Sequence, residues 1–233
     1  MTKRETYVAF ITIARKEFSR FFRIWTQTLI PPVITSVLYF LIFGGFIGSQ
    51  VKSIQGFTYM QFLVPGLVMM SVITNAFSNV AGSFFSSKFM RNYEEILVSP
   101  TPSWVIIAGY VAGGMGRSVL VGLITLGIGL FFTHLAIHNI GVVIVFMLLT
   151  AFLFSIAGLL NALFAKNFDD IAIIPTFILT PLTYLGGVFY SIQALPLLWR
   201  TLSQFNPILY LINGFRYGFL GVSDVNVWIS FTI

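Results

Sequence analysis

Residues 53–87 read SIQGFTYMQFLVPGLVMMSVITNAFSNVAGSFFSS, 35 consecutive positions without Lys, Arg, Asp or Glu. A helix needs about 20 apolar residues to cross the hydrocarbon core of a bilayer, so this stretch is long enough with residues to spare. Residues 24–51 form a second uncharged run, of 28. Across all 233 residues, 57% are hydrophobic, 17% aromatic and 9% charged, against roughly 25% charged in an ordinary soluble domain. Such a composition cannot coat a soluble globule, which excludes a soluble enzyme or a disordered chain. The absence of cysteine excludes a disulfide-stapled secreted domain. What remains is an all-α, polytopic integral membrane protein.

The net charge of +6 has to be read by position. Lys3, Arg4, Arg15, Lys16, Arg20 and Arg23, six of the thirteen Lys and Arg, precede the first uncharged run. Basic residues beside spans mark the cytoplasmic side, so the amino terminus is expected there and no nucleic-acid partner is implied. The apolar run 7–14 meets Arg15 and Lys16 without a small-residue cleavage site, so a removed signal peptide is not expected. Tyr7, Ile11, Ala14, Phe18 and Phe21 recur at helical spacing opposite Lys16, Arg20 and Arg23. Residues 1–23 therefore predict an amphipathic helix lying in the membrane interface.

Five complete spans are predicted, over 30–47, 62–86, 105–132, 141–165 and 171–190. The segment 88–104, with Arg91, Glu94, Glu95, Pro100 and Pro102, is too charged for lipid and is placed in the cytoplasm. A second inner turn occupies 166–170. Lys52 sits in one outer loop, and His134 and His138 in another. The third predicted span is longer than one crossing requires, so its first part is expected to run beneath the inner interface and turn near Arg117. Residues 191–221 are broken by Pro196, Arg200, the Asn206–Pro207 pair and Arg216. Helical pieces of about 10 to 13 residues reach only ~15 to 20 Å, so this part predicts an outer re-entrant helix pair. A sixth span starts at Val225 and is cut short at Ile233. This topology puts nine Lys and Arg inside, three outside, and Arg117 within a span.

No Gly-Lys pair exists to build a phosphate-cradling loop, so energy from ATP would come from another chain. The Gly-rich stretch 113–118, GGMGRS, reads as helix packing. All seven carboxylates (Glu5, Glu17, Glu94, Glu95, Asp169, Asp170 and Asp224) fall in predicted loops or terminal segments. That disfavours the proton relay of an ion-coupled secondary transporter. No paired carboxylates or nucleophile constellation supports a lipid-modifying enzyme, so no catalytic residue is nominated. His134 and His138 lack the further ligands a metal needs.

Ser71, Asn75, Ser78, Gly82 and Ser86 share one face of the second span, with Asn79 beside them. Such a stripe either lines a pathway or bonds helices together. Thr176, Thr180, Thr183 and Gly187 share a face of the fifth span near Pro175 and Pro181, which predicts a bend whose hydroxyls take freed carbonyls. Ala151, Ser155, Gly158, Ala162 and Ala165 form a packing stripe on the fourth. Arg117 has two readings: a snorkel to lipid headgroups, or a polar cavity or anionic-lipid site.

Residues 181–221, PLTYLGGVFYSIQALPLLWRTLSQFNPILYLINGFRYGFLG, combine a Pro-containing span, a Gly-Gly-Val-Phe-Tyr exit, Leu-Pro and Asn-Pro pairs and a late Arg. With the basic amino-terminal helix and the acidic segment RNYEEILVSPTP at 91–102, the chain resembles the permease subunits of ABC-2 type transporters over essentially its whole length. The resemblance implies a homodimeric exporter of a bacterial inner membrane that docks two separate ATPase subunits. Those partners would bind ATP and Mg²⁺, and this chain would carry no cofactor. It further implies that the segment after the second span couples to the ATPase through Arg91, Glu94, Glu95, Ile96 and Leu97. Taken alone, the same segment also reads as a solvated loop. In such proteins the second and fifth spans border the path, which implicates Asn75, Asn79, Thr180 and Thr183.

Overall fold

A computed structural model describes residues 2–48, 50, 53–226 and 230. Five of its helices are long and apolar enough to cross a membrane: Trp25–Ile47, Tyr59–Phe89, Ser103–Phe132, Ile140–Phe164 and Phe168–Leu185, here spans one to five. The described residues contain no strand, only an isolated bridge between Ile54 and Phe57. The start of a sixth span expected from Val225 lies mostly outside the described residues, as does Lys52.

Span two is the central post. Along its most apolar stretch 67% of residues are buried, against 11% in spans one and five. It packs against spans three and four and against a shorter helix, Pro207–Leu220. Small residues set the approach. A side chain at Gly158 on span four would meet the Phe77 carbonyl of span two at 2.3 Å. On span three, a side chain at Gly114 would meet Val80 at 2.2 Å. Without hydrophobic driving force between helices in lipid, such backbone contact is what binds them. The stripe Ala151, Ser155, Gly158, Ala162 and Ala165 is buried throughout, as expected of packing.

Span three corrects one expectation. It is a single unbroken helix from Ser103 to Phe132, with no turn near Arg117. The glycines before Arg117 receive neighbours: Gly109 meets Ile13 and Gly113 meets Glu17 of the amino-terminal helix. That helix, Lys3–Arg23, opens with a capping box of Thr2 and Glu5. Tyr7, Ile11 and Phe18 are exposed, while Ile13, Glu17 and Phe21 are buried. Arg20 leaves the basic face and turns inward with Glu17.

Spans one and five depart from regular helix. Span one ends in a π-helical stretch, Phe40–Ile47, and span five contains another, Ile174–Leu179. After span five the chain forms Leu197–Gln204, which exposes Leu197, Leu198 and Trp199, then the buried helix Pro207–Leu220. Asn206 caps the latter through the Ile208 N–H, and Pro207 takes its first position. Arg216 is fully buried there. It donates to the carbonyls of Phe62 (3.3 Å) and Gly187 (2.8 Å) and lies 3.7 Å over the Phe62 ring.

A polar crevice and a buried arginine hub

Glu17 enters the protein because Gly113 has no side chain, and burial obliges its carboxylate to find donors. Ser83 Oγ donates to it at 2.6 Å and Arg20 Nη2 at 3.1 Å. The same Arg20 nitrogen donates to Asn79 Oδ1 at 2.9 Å, and Arg117 Nη1 reaches that oxygen at 2.7 Å. Asn79 thus joins the amino-terminal helix and span three to span two through one amide. Glu17, expected only as part of a terminal segment, is the buried anion of this hub. Arg117, expected at headgroups or a polar cavity, is turned to Asn79 and to the cavity described next.

Between spans one and two lies a crevice of about 340 Å³. Span one contributes Gln27, Thr28, Pro31, Pro32, Thr35, Ser36 and Tyr39. Span two contributes Leu67, Met70, Ser71, Thr74, Asn75 and Ser78, and span three contributes Arg117. Pro31 and Pro32 have no N–H to offer the carbonyls of Gln27 and Thr28 one turn back, which adds acceptors to this wall. Ser36, Thr125 and Ser71 form a hydroxyl chain of 3.4 and 3.3 Å across spans one, three and two. At the far end the Tyr39 hydroxyl lies 3.4 Å from that of Tyr184 on span five. Phe43 and Phe189 pack beside them as a tilted ring pair, centroids 4.6 Å apart.

The stripe on span two therefore divides. Asn75 and Ser78 face the crevice, and the Asn75 amide donates to Ser71 of its own helix. Asn79 alone of the two asparagines bonds other helices. The threonines of span five are not in this crevice. Thr180 Oγ1 donates to the Pro175 carbonyl at 2.8 Å and Thr183 Oγ1 to Leu179 at 2.6 Å. Hydroxyls thus take carbonyls where the helix widens. Sequence reading missed Gln27, Thr28, Thr35 and Thr74. The four-residue recurrence of Gln27, Pro31, Thr35 and Tyr39 would have disclosed the span-one wall.

The segment after span two forms a short helix, Asn92–Val98, which Arg91 enters in a left-handed conformation, φ 60°. Glu94, Glu95, Leu97 and Val98 are exposed, and Ile96 is half-buried. Ile96 and Leu97 also line an apolar cavity of about 170 Å³ with Phe84, Tyr93, Ile106 and Tyr110. Nearby, Lys88 Nζ donates to the carbonyls of Leu163 and Ala165, both at 2.8 Å, a cation at the carboxy-terminal end of span four.

Five apolar helices, three of which line a polar crevice, define a helical membrane domain. The comparisons narrow that class. The family model described as ABC-2 type transporter matches residues 8–220. The inner membrane transport permease YadH of Escherichia coli K12 is 59% identical over 227 residues, covering 97% of this chain and 89% of that protein. Nodulation protein J of Rhizobium leguminosarum bv. viciae is 25% identical over 199 residues, 82% of this chain and 74% of its own. The chain belongs to the ABC-2 type transporter family. It is therefore a membrane permease subunit and not an enzyme, and any ATP hydrolysis lies in a partner.

Proposed function

We propose that this chain is half of a homodimeric exporter of a bacterial inner membrane, driven by two separate ATPase subunits that carry ATP and Mg²⁺. The observation that carries the reading is the crevice: a polar wall on spans one and two, set beside two spans whose surfaces are largely uncovered. A second copy would cover spans one and five and enclose the path, with Asn75 and Ser78 among its lining and Asn79, Thr180 and Thr183 shaping it. The YadH relative's name supports the inner membrane as location. The amino terminus is cytoplasmic, its helix lies in the interface, and the pair Leu197–Gln204 and Pro207–Leu220 re-enters from outside.

ATPase docking falls to Arg91, Glu94, Glu95, Ile96 and Leu97, whose helix offers both charge and apolar edge. Glu17 is tied to Arg20 and Ser83, which supports a fixed role over that of a proton carrier. Transport in inverted membrane vesicles tests this. It is expected to need ATP, to stop with vanadate, and to persist when ionophores collapse ion gradients. Transport that follows an ion gradient without ATP overturns the proposal in favour of a secondary transporter.

A further inference from the structure

The crevice carries a charge that its lining does not neutralise. Two guanidinium groups, Arg20 and Arg117, share the neutral oxygen of Asn79. The one carboxylate of the cluster, Glu17, is held by Arg20 and Ser83. One positive charge is left over, and Arg117 is the member that lines the cavity. No Asp or Glu lines it among the described residues. The Arg117 Nε–H is buried without a partner. An unneutralised guanidinium among spans is costly, and its planar fork of donors matches phosphate oxygens.

The neighbours extend the match. Gln27, Thr28 and Ser78 line the same cavity as Arg117, and the Thr28 hydroxyl is buried without a partner. Pro31, Pro32, Leu67 and Met70 give the wall an apolar strip beside its hydroxyls. The geometry points to a binding site for a phosphate-bearing amphiphile, with its phosphate on Arg117 and its hydrocarbon along Pro31, Pro32, Leu67 and Met70. This rests on the crevice being the substrate path, and it names the class of substrate. A volume of about 340 Å³ falls within the usual range for ligand pockets.

The test uses the purified chain in neutral detergent and three probes: lysophosphatidic acid, lysophosphatidylcholine of equal acyl length, and inorganic phosphate. Calorimetry is expected to show saturable binding of lysophosphatidic acid, at least about tenfold tighter than lysophosphatidylcholine. Arg117→Gln is expected to remove that preference. Asn79→Asp keeps an acceptor for both guanidinium groups but cancels the surplus charge. It should weaken lysophosphatidic acid by about tenfold with an unchanged melting temperature, so it decides the matter even if Arg117→Gln fails to fold.

Competition by millimolar inorganic phosphate assigns the site to the anion alone; its failure to compete assigns it to the amphiphile. Equal binding of the two lysolipids, or full affinity in a well-folded Asn79→Asp variant, overturns the proposal. Thr74→Trp, which fills the cavity, separates this proposal from the path on which it rests. Binding lost while transport persists keeps the phosphate site and removes the crevice as the path. Charge-insensitive binding with transport lost keeps the path and overturns the phosphate.

Discussion

At Asn79 one neutral oxygen serves two guanidinium groups, so its removal takes a partner from two half-buried cations at once, leaving Arg20 its bond to Glu17. Hydrogen bonds to charged groups contribute about 1.5 to 3 kcal/mol each. Asn79→Leu, similar in volume, is expected to destabilise the fold by about 3 kcal/mol, seen as a clear drop in melting temperature in detergent. Ser78→Ala, on the exposed side of the same turn, should change it little. Equal melting of both variants would show that the amide is not a hub. The sequence made part of this site legible, because polar residues in hydrocarbon stand out: Ser71, Asn75, Ser78 and Asn79 were visible as a set. Glu17 was not. In KEFSRF it reads as a solvated helix face, and its burial depends on Gly113, a residue about a hundred positions away.

Among the elements, spans two and four are held by backbone contact, which makes their glycines unequal. A side chain at Gly158 would meet the Phe77 carbonyl at 2.3 Å, whereas Gly82 has nothing within 4 Å. Gly158→Ala is expected to cost about 1 to 3 kcal/mol through overpacking, while Gly82→Ala leaves stability unchanged or slightly raised. Melting of the two purified variants compares them directly, and indistinguishable values would contradict the packing described. Span number and approximate limits were readable from hydropathy because length and apolarity alone decide them. The continuity of span three was not. Its excess length suggested a turn near Arg117, yet the helix runs on unbroken and its glycines there receive the amino-terminal helix, which only the tertiary arrangement determines.

For the whole molecule, the orientation proposed from basic residues is open to a direct check, since the sequence has no cysteine. Cysteines placed at Ser53 and Gln193 are expected to react with an impermeant thiol reagent from outside, and those at Ser99 and Asn167 only after the membrane is opened. The reverse pattern would refute the orientation. Partners were legible only through resemblance, because the docking surface proposed at Glu94 and Glu95 looks like any solvated turn until its counterpart is known. The central claim is that ATP hydrolysis on another chain drives this one. It is tested most directly by purifying the tagged chain from its native membranes and assaying the eluate for vanadate-sensitive ATP hydrolysis. The wild-type chain should bring the activity with it, and the double reversal Glu94→Lys with Glu95→Lys should lose it while inserting normally. A correctly inserted wild-type chain that transports but never brings an ATPase would contradict the account.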